Sequence, residues 1–414
     1  MTTKSSLLIG TGGDQIYCAT LSLESGLLSL DPKHPTISTG KAPTWIISSK
    51  DKKKLVIVNE DSDRIQIFDK NDDDDNKENP WTKSSEFSSG GATPCYLQFV
   101  PGSEEKSFVC ANYNENVTVF ETTSSGNNKP IFVGDCSKKV DDASIEEPIG
   151  PQTDRQEKSH PHMANFEPHH HHGGKFLLVP DLGTDTIAVF RRDVNANNKS
   201  ATCKLVNKIR TSKPGLGPRH LIFHPKREIQ LFYLVNELAS SVSVFEYKIE
   251  TRQNSNWEPA EDAFFSAQEV ETFSCLPPGK SSFDYGGSSF DKNRNSDETT
   301  PSSFGVAQNT CASINIEPRN NKFLYVSCRG RDVITGFELD EKTGRIIKRI
   351  GEVPTLGRTP RFFCFSECGG FVIVLNQETH SVLVFRFNQE TGEFLMPPTS
   401  VLSGVKSPQC VAFL

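Results

Sequence analysis

The hydrophobic pattern of this chain repeats. One phrase recurs six times: an apolar run, a turn, a second apolar run ending in a polar residue, another turn, and a run closing on Phe. Val56-Ile57-Val58-Asn59 leads to Ile65-Gln66-Ile67-Phe68, and Leu234-Val235-Asn236-Glu237 leads to Val242-Ser243-Val244-Phe245. The other repeats close on Phe120, Phe190, Phe337 and Phe385. Units of this length, built from short strands, predict the blades of a β-propeller.

The two ends set the blade number. Leu7 to Leu30 has the later strands of a unit but no opening strand. Ser407-Pro408-Gln409-Cys410-Val411-Ala412-Phe413 is an opening strand with nothing after it, and it matches Pro218-Arg219-His220-Leu221 and Pro360-Arg361-Phe362-Phe363. The expectation is an all-β, seven-bladed β-propeller, its ring closed when the C-terminal strand joins the N-terminal blade. Closure removes the free sheet edges that invite aggregation. The openings fall near Pro43, Pro94, Met163, Pro218, Ala312, Pro360 and Pro408. A blade cannot bury its faces alone, so residues 1–414 are read as one domain. Polar stretches near 71–80, 124–160 and 252–310 bury too little apolar surface to offset ordering, and are read as surface insertions. Trp-Asp endings, and recurring double glycines that lead to a Trp, are absent, which sets aside the WD40 and kelch types.

Composition narrows the function. The net charge of −7 and the lack of a Lys/Arg-rich block argue against nucleic-acid binding, while an anionic small molecule remains compatible with a few converging arginines. No segment is apolar enough to span a bilayer, and Leu7-Leu8-Ile9 is too short for a signal peptide, so a cytoplasmic protein without membrane association is expected. No protein partner is evident. The eleven cysteines form no framework; Cys364 and Cys368 make a close pair without a matching second pair, so they are read as reduced and buried. No metal or cofactor is assigned. His169-His170-His171-His172 falls in a turn on the rim opposite the expected pocket, where neighbouring side chains diverge, and is read as no native metal site.

Propeller geometry predicts where chemistry collects. Residues just before strand one and just after strand two meet on one face, near the axis. The first position holds His162, Arg219 and Arg361; the second holds Asn59-Glu60, Asn112-Tyr113, Asp181, Asn236-Glu237, Arg329 and Asn376-Gln377. Asn and Asp there are also favoured turn formers, and Asp181 fits that role. His220 and His224 alternate along one strand, so one of them can pack within the sheet. Glu237 and Arg329 resist a structural explanation, because a charge at such a turn is costly unless paired or used.

Gly217-Pro218-Arg219-His220-Leu221-Ile222-Phe223-His224-Pro225, with Val235-Asn236-Glu237-Leu238 after it, resembles the seven-bladed propeller lactonases. That family includes a bacterial type of 6-phosphogluconolactonase and the fungal carboxy-cis,cis-muconate cyclases. Val179-Pro180-Asp181-Leu182-Gly183, Leu324-Tyr325-Val326-Ser327-Cys328-Arg329-Gly330 and Thr359-Pro360-Arg361-Phe362 are further matches. The resemblance implies catalytic or binding roles for His162, Arg219, Glu237 and Arg329; Arg361, Asn112, Tyr113, Asn236 and His220 are substrate-binding candidates from their blade positions. The resemblance also implies a small anionic lactone as substrate, 6-phosphogluconolactone first, opened without metal by acid/base chemistry. Glu237 is favoured as base and His162 as proton donor, although the residues do not separate the two. Lactone closure by a muconate cyclase, or a propeller that only binds, are the alternatives.

Overall fold

The computed structural model describes residues 3–71, 80–122, 128–140, 144–168, 174–194, 201–251, 263–285 and 309–414. They form seven antiparallel sheets and no α-helix. Blade 1 combines residues 4–38 with the C-terminal strand Pro408–Phe413. Blades 2 to 7 span residues 45–88, 94–134, 165–210, 218–274, 310–354 and 360–403. Ring closure follows the expected route: Leu7 pairs with Phe413, Leu8 with Ala412 and Ile9 with Val411.

The repeat has a physical cause. The middle strands of a blade are covered on both faces by neighbouring blades, so they read as unbroken apolar runs. Every residue of Leu231–Asn236 and of Phe371–Asn376 is buried. The closing Phe of each unit fills the space between blades: Phe245 stacks on Phe232 at 4.8 Å between centroids, and Phe120 on Phe108 at 5.3 Å. Outermost strands have one exposed side and lose the pattern. Pro130–Gly134 and Ala263–Ser274, each inside a stretch read above as an insertion, are the outer strands of blades 3 and 5. Ile131-Phe132-Val133 is apolar enough to read as a strand candidate, whereas the half-exposed, polar Ala263–Ser274 is not.

A common device opens five blades. Ala42, Thr93, Gly217, Thr359 and Ser407 all have positive φ, and a proline follows each. In four of these blades a bulge comes next. Pro218 pairs with Asn236 but His220 pairs with Val235, which leaves Arg219 without a partner on the ladder. Arg361, Cys95 and Gln409 occupy the same position. A bulge re-aims a side chain, and here it turns one residue per blade towards the axis.

Ring closure gives a first prediction. Deleting residues 407–414 strips the inner strand from Lys4–Thr11. The truncated chain should lose most of the roughly 5–15 kcal/mol that holds a domain folded, read as a collapsed melting temperature and aggregation on size exclusion. An unchanged melt would refute closure by this strand.

Candidate active site

The Gly-Pro-Arg-His opening of blade 5 builds the centre of the site. Gly217 sits at φ +66°, and a Cβ there would lie 2.5 Å from Leu238 Cγ, so only glycine fits. Its carbonyl accepts from the Glu237 amide at 2.7 Å, and its amide donates to Asp185 Oδ1 at 2.9 Å. Arg219, on the bulge, and Glu237, after the second strand, thereby share one mouth.

Glu237 is completely buried and meets three guanidinium groups. Arg155 Nη2 lies 2.6 Å from its Oε1, Arg329 Nη2 3.1 Å from the same oxygen, and Arg219 Nε 2.9 Å from Oε2. Arg219 Nη1 also donates to the Ala312 carbonyl at 2.5 Å, and Arg329 Nη2 to the Cys311 carbonyl at 3.1 Å. Burial would raise the Glu237 carboxyl, but Arg329, Arg155 and Arg219 together hold it well below the usual carboxylate range. Burial, reinforced by Arg329, pushes Arg219 down to about 9, so it stays charged at neutral pH.

A layer of rings lies beside this cluster. His162 meets the ring of His220 at 5.3 Å and that of Tyr113 at 5.2 Å, both edge-on. His220 touches Trp45 and Tyr96, and Trp45 reaches Phe362 of blade 7. Rings from blades 2, 3, 4, 5 and 7 thus meet across the channel. An open cavity of about 490 Å³, lined by Trp45, Tyr96, Phe99 and Phe413 among others, lies at the lower ends of the inner strands, and the Glu237 cluster does not line it. Burial and then Arg219 hold the His162 imidazole well below the ordinary histidine range, and the same causes act on His220.

Two groups emerge that the sequence reading did not select. Arg155 belongs to the stretch taken as a surface insertion. Its described part, from residue 144 on, instead straps across the rim. Gln156 Nε2 donates to the Leu182 carbonyl at 2.8 Å, Gln152 Nε2 to the Gly215 carbonyl at 3.1 Å, and Ser159 Oγ to Asp181 Oδ2 at 2.6 Å. The backbone passes so close to Gly183 that a Cβ there would sit 1.6 Å from the Lys158 carbonyl oxygen. Arg155 is 7% exposed, and its Nη2 lies 3.4 Å from the Tyr113 hydroxyl. No periodicity marks such a residue; only the contacts reveal it. Glu60 follows strand two of blade 2, a position identified above but left out of the candidate set. Burial raises its carboxyl, and Arg361 only partly offsets this.

The remaining candidates divide. His162, Arg219, His220, Glu237, Arg329 and Tyr113 converge, and Arg361 acts electrostatically on Glu60 and Arg219. Asn112 and Asn236 are buried beside the same mouth. Their amides bond within their own blades, Asn112 Nδ2 to Asn116 Oδ1 at 2.8 Å and Asn236 Nδ2 to Ser243 Oγ at 2.9 Å. Asp181 is a turn device, accepting from the His160 and Gly183 amides. His224 packs against Tyr233, away from the axis. His169 to His172 lie outside the described residues.

These shifts set the sign of a pH effect. His162 and His220 resist protons that the unfolded chain takes up near pH 6.5. Their contribution to stability is complete above that value and is lost as pH falls. Glu237, also lowered, contributes above the ordinary carboxylate range and loses its contribution below it. Glu60, raised, acts in the opposite sense, favouring the fold at lower pH. Melting temperature should therefore fall between pH 7 and pH 5, and His162→Gln with His220→Gln should flatten that slope; equal slopes would count against the assignment.

Comparison with known proteins agrees with this geometry. The chain is 28% identical over 327 residues to the 6-phosphogluconolactonase of Bacillus subtilis (strain 168), covering 78% of this chain and 74% of that protein. It is 27% identical over 328 residues to the 6-phosphogluconolactonase of Formosa agariphila, covering 78% and 75%. Among solved structures, the periplasmic gluconolactonase PpgL of Pseudomonas aeruginosa superposes with a TM-score of 0.73 at 21% identity over 99% of each chain, a likeness of fold. The family model described as lactonase, 7-bladed beta-propeller, matches residues 2–413, and the chain belongs to that lactonase family.

Proposed function

We propose that the axial site hydrolyses 6-phosphogluconolactone to 6-phosphogluconate. The observation that carries this reading is the charge balance of the mouth. The guanidinium groups of Arg155, Arg219, Arg329 and Arg361 act there against two carboxyl groups, Glu237 and Glu60. A buried excess of positive charge favours an anionic ligand, and arginine forks suit a phosphate. The names of the two bacterial relatives point to the same substrate. The eleven cysteines, with no disulfide among the described ones, suit a reducing compartment, and cytoplasmic placement is part of the proposal.

Protonation states favour a different division of labour from the one first inferred. At neutral pH His162 is uncharged and Glu237 is an ionised, fully engaged carboxylate. In the proposed scheme His162 takes a proton from water as the water oxygen bonds to the lactone carbonyl carbon. Arg219 and Arg329 face the resulting oxyanion. Collapse breaks the bond from that carbon to the ring oxygen, which receives the proton back from the His162 imidazolium. Glu237 steadies the transient imidazolium and orders the arginines. Arg155 holds the phosphate. No step needs a metal, and activity should survive EDTA.

The decisive experiment offers purified protein 6-phosphogluconolactone, unphosphorylated sugar lactones and carboxymuconate, each corrected for spontaneous reaction. The phosphorylated lactone should turn over fastest. No turnover, or turnover of carboxymuconate alone, would overturn the proposal. His162→Gln should lower kcat by about 10²–10⁴-fold, and Arg219→Ala by about 10²–10³-fold. Because His162 must start neutral and its pKa is lowered, kcat/KM should stay level through the ordinary histidine range and fall only at lower pH.

The strap makes a separate prediction. Arg155→Gln should raise KM for the phosphorylated lactone more than for its unphosphorylated counterpart. Gly183→Ala, which pushes the strap's Lys158 carbonyl away from residue 183, should do the same while leaving circular dichroism unchanged. Equal effects on both substrates would remove Arg155 from phosphate binding.

A further inference from the structure

Away from the axis, three sulfurs converge where blades 5 and 6 meet. The Sγ atoms of Cys275, Cys311 and Cys328 all lie within 4.8 Å of one another, and those of Cys311 and Cys328 are 3.6 Å apart. Cys275 follows the outer strand of blade 5, whereas Cys311 and Cys328 face each other on the first two strands of blade 6. All three are fully buried. No other group of three His, Cys, Asp or Glu donors converges this closely among the described residues.

Isolated buried cysteines act as small apolar side chains, and Cys95, Cys110 and Cys410 can be read so. A triangle of sulfurs drawn from two paired strands of one blade and the turn after a strand of its neighbour has a further property. Three thiolates bound about 2.3 Å from a central ion sit roughly 4.0 Å apart in a planar arrangement. The Cys311–Cys328 separation of 3.6 Å lies close to that value, and all three sulfurs fall within 4.8 Å of one another. The surroundings suit a soft ion. Val326, Val333 and Phe337 belong to the same apolar cluster. Thr335 Oγ1, 3.6 Å from Cys328 Sγ, donates to the Cys275 carbonyl at 2.8 Å. Arg349 Nη2, 3.5 Å from that carbonyl, supplies positive charge. Zinc prefers a fourth strong ligand, and among the described residues no His or carboxylate joins the group; three thiolates alone suit Cu(I) better.

We propose that Cys275, Cys311 and Cys328 form a three-coordinate thiolate site for a soft metal ion of the Cu(I) type. Binding replaces the thiol protons with the ion, and the protons leave to solvent. The site stands independently of the lactonase reading, although Cys328 precedes Arg329 and the Cys311 carbonyl accepts from it.

The test is an anaerobic Cu(I) titration of the reduced, full-length chain against a chromophoric Cu(I) chelator. His169 to His172 are replaced by Ala so that this run does not contribute. One ion per chain should bind, with thiolate-to-copper charge-transfer absorption. Cys275→Ser, Cys311→Ser and Cys328→Ser should each weaken binding by more than about 100-fold, beyond the roughly 10–100-fold lost with a supporting group. Cys368→Ser should leave it unchanged. If a serine variant fails to fold, X-ray absorption on the copper-loaded parent decides, where three sulfur neighbours are expected. Equal binding by the parent and Cys311→Ser would overturn the proposal. So would Zn(II) held as tightly as Cu(I), or a reduced protein that binds no ion but readily forms a Cys311–Cys328 disulfide.

Discussion

One carboxylate organises the axial mouth. Glu237 lies within 3.1 Å of guanidinium nitrogens from the opening of blade 5, the second strand of blade 6 and the strap across the rim. Three buried cations of like charge would repel one another and resist removal from water. Breaking such a buried pair typically costs about 3–5 kcal/mol. The effect is visible at Arg219, which burial and Arg329 push down to about 9 while Glu237 pulls the other way. Glu237 is thus an internal counter-ion. On the proposed reading, a substrate anion would bind by sharing or taking over the same guanidinium groups.

The fold delivers these groups through a repeated backbone device. A left-handed residue, a proline and a bulge set one side chain per blade on the channel wall. Each left-handed non-glycine residue costs of order 1–3 kcal/mol and persists only where its surroundings over-determine it. Ring closure supplies that constraint, because every inner strand is wedged between two others. The device fixes position, not chemistry. Blade 3 places Cys95 there, blade 5 Arg219, blade 7 Arg361 and blade 1 Gln409.

The blades, their number and their closure were legible because burial on both faces forces long apolar runs with period-two strands between turns. The converging positions of His162, Arg219, Glu237 and Arg329 followed from that geometry before any contact was known. What escaped was whatever lacked periodicity. The outer strand Ala263–Ser274 is largely half-exposed and merged with a polar insertion. Arg155 reaches Glu237 from an irregular segment held by Gln152, Gln156 and Ser159, contacts that carry no local signal. The protonation of Glu237 and His162 was hidden for another reason: it depends on three guanidinium groups and on burial, which sequence spacing does not report.

On the proposed reading, the strap would let one scaffold select for charge. Without Arg155, Glu237 would answer Arg219 and Arg329 alone, and the mouth would carry less surplus positive charge. Adding a third guanidinium from an insertion tilts the balance towards ligands that bring more than one negative charge, as a phosphate monoester does and a single carboxylate does not. The same anion would act on His162. Arg219 helps keep that imidazole neutral, so a bound dianion that offsets the guanidinium charge raises its basicity when water must be deprotonated. Anion binding and base strength are then coupled through one set of arginines. A neutral lactone lacks that coupling even where it fits the mouth.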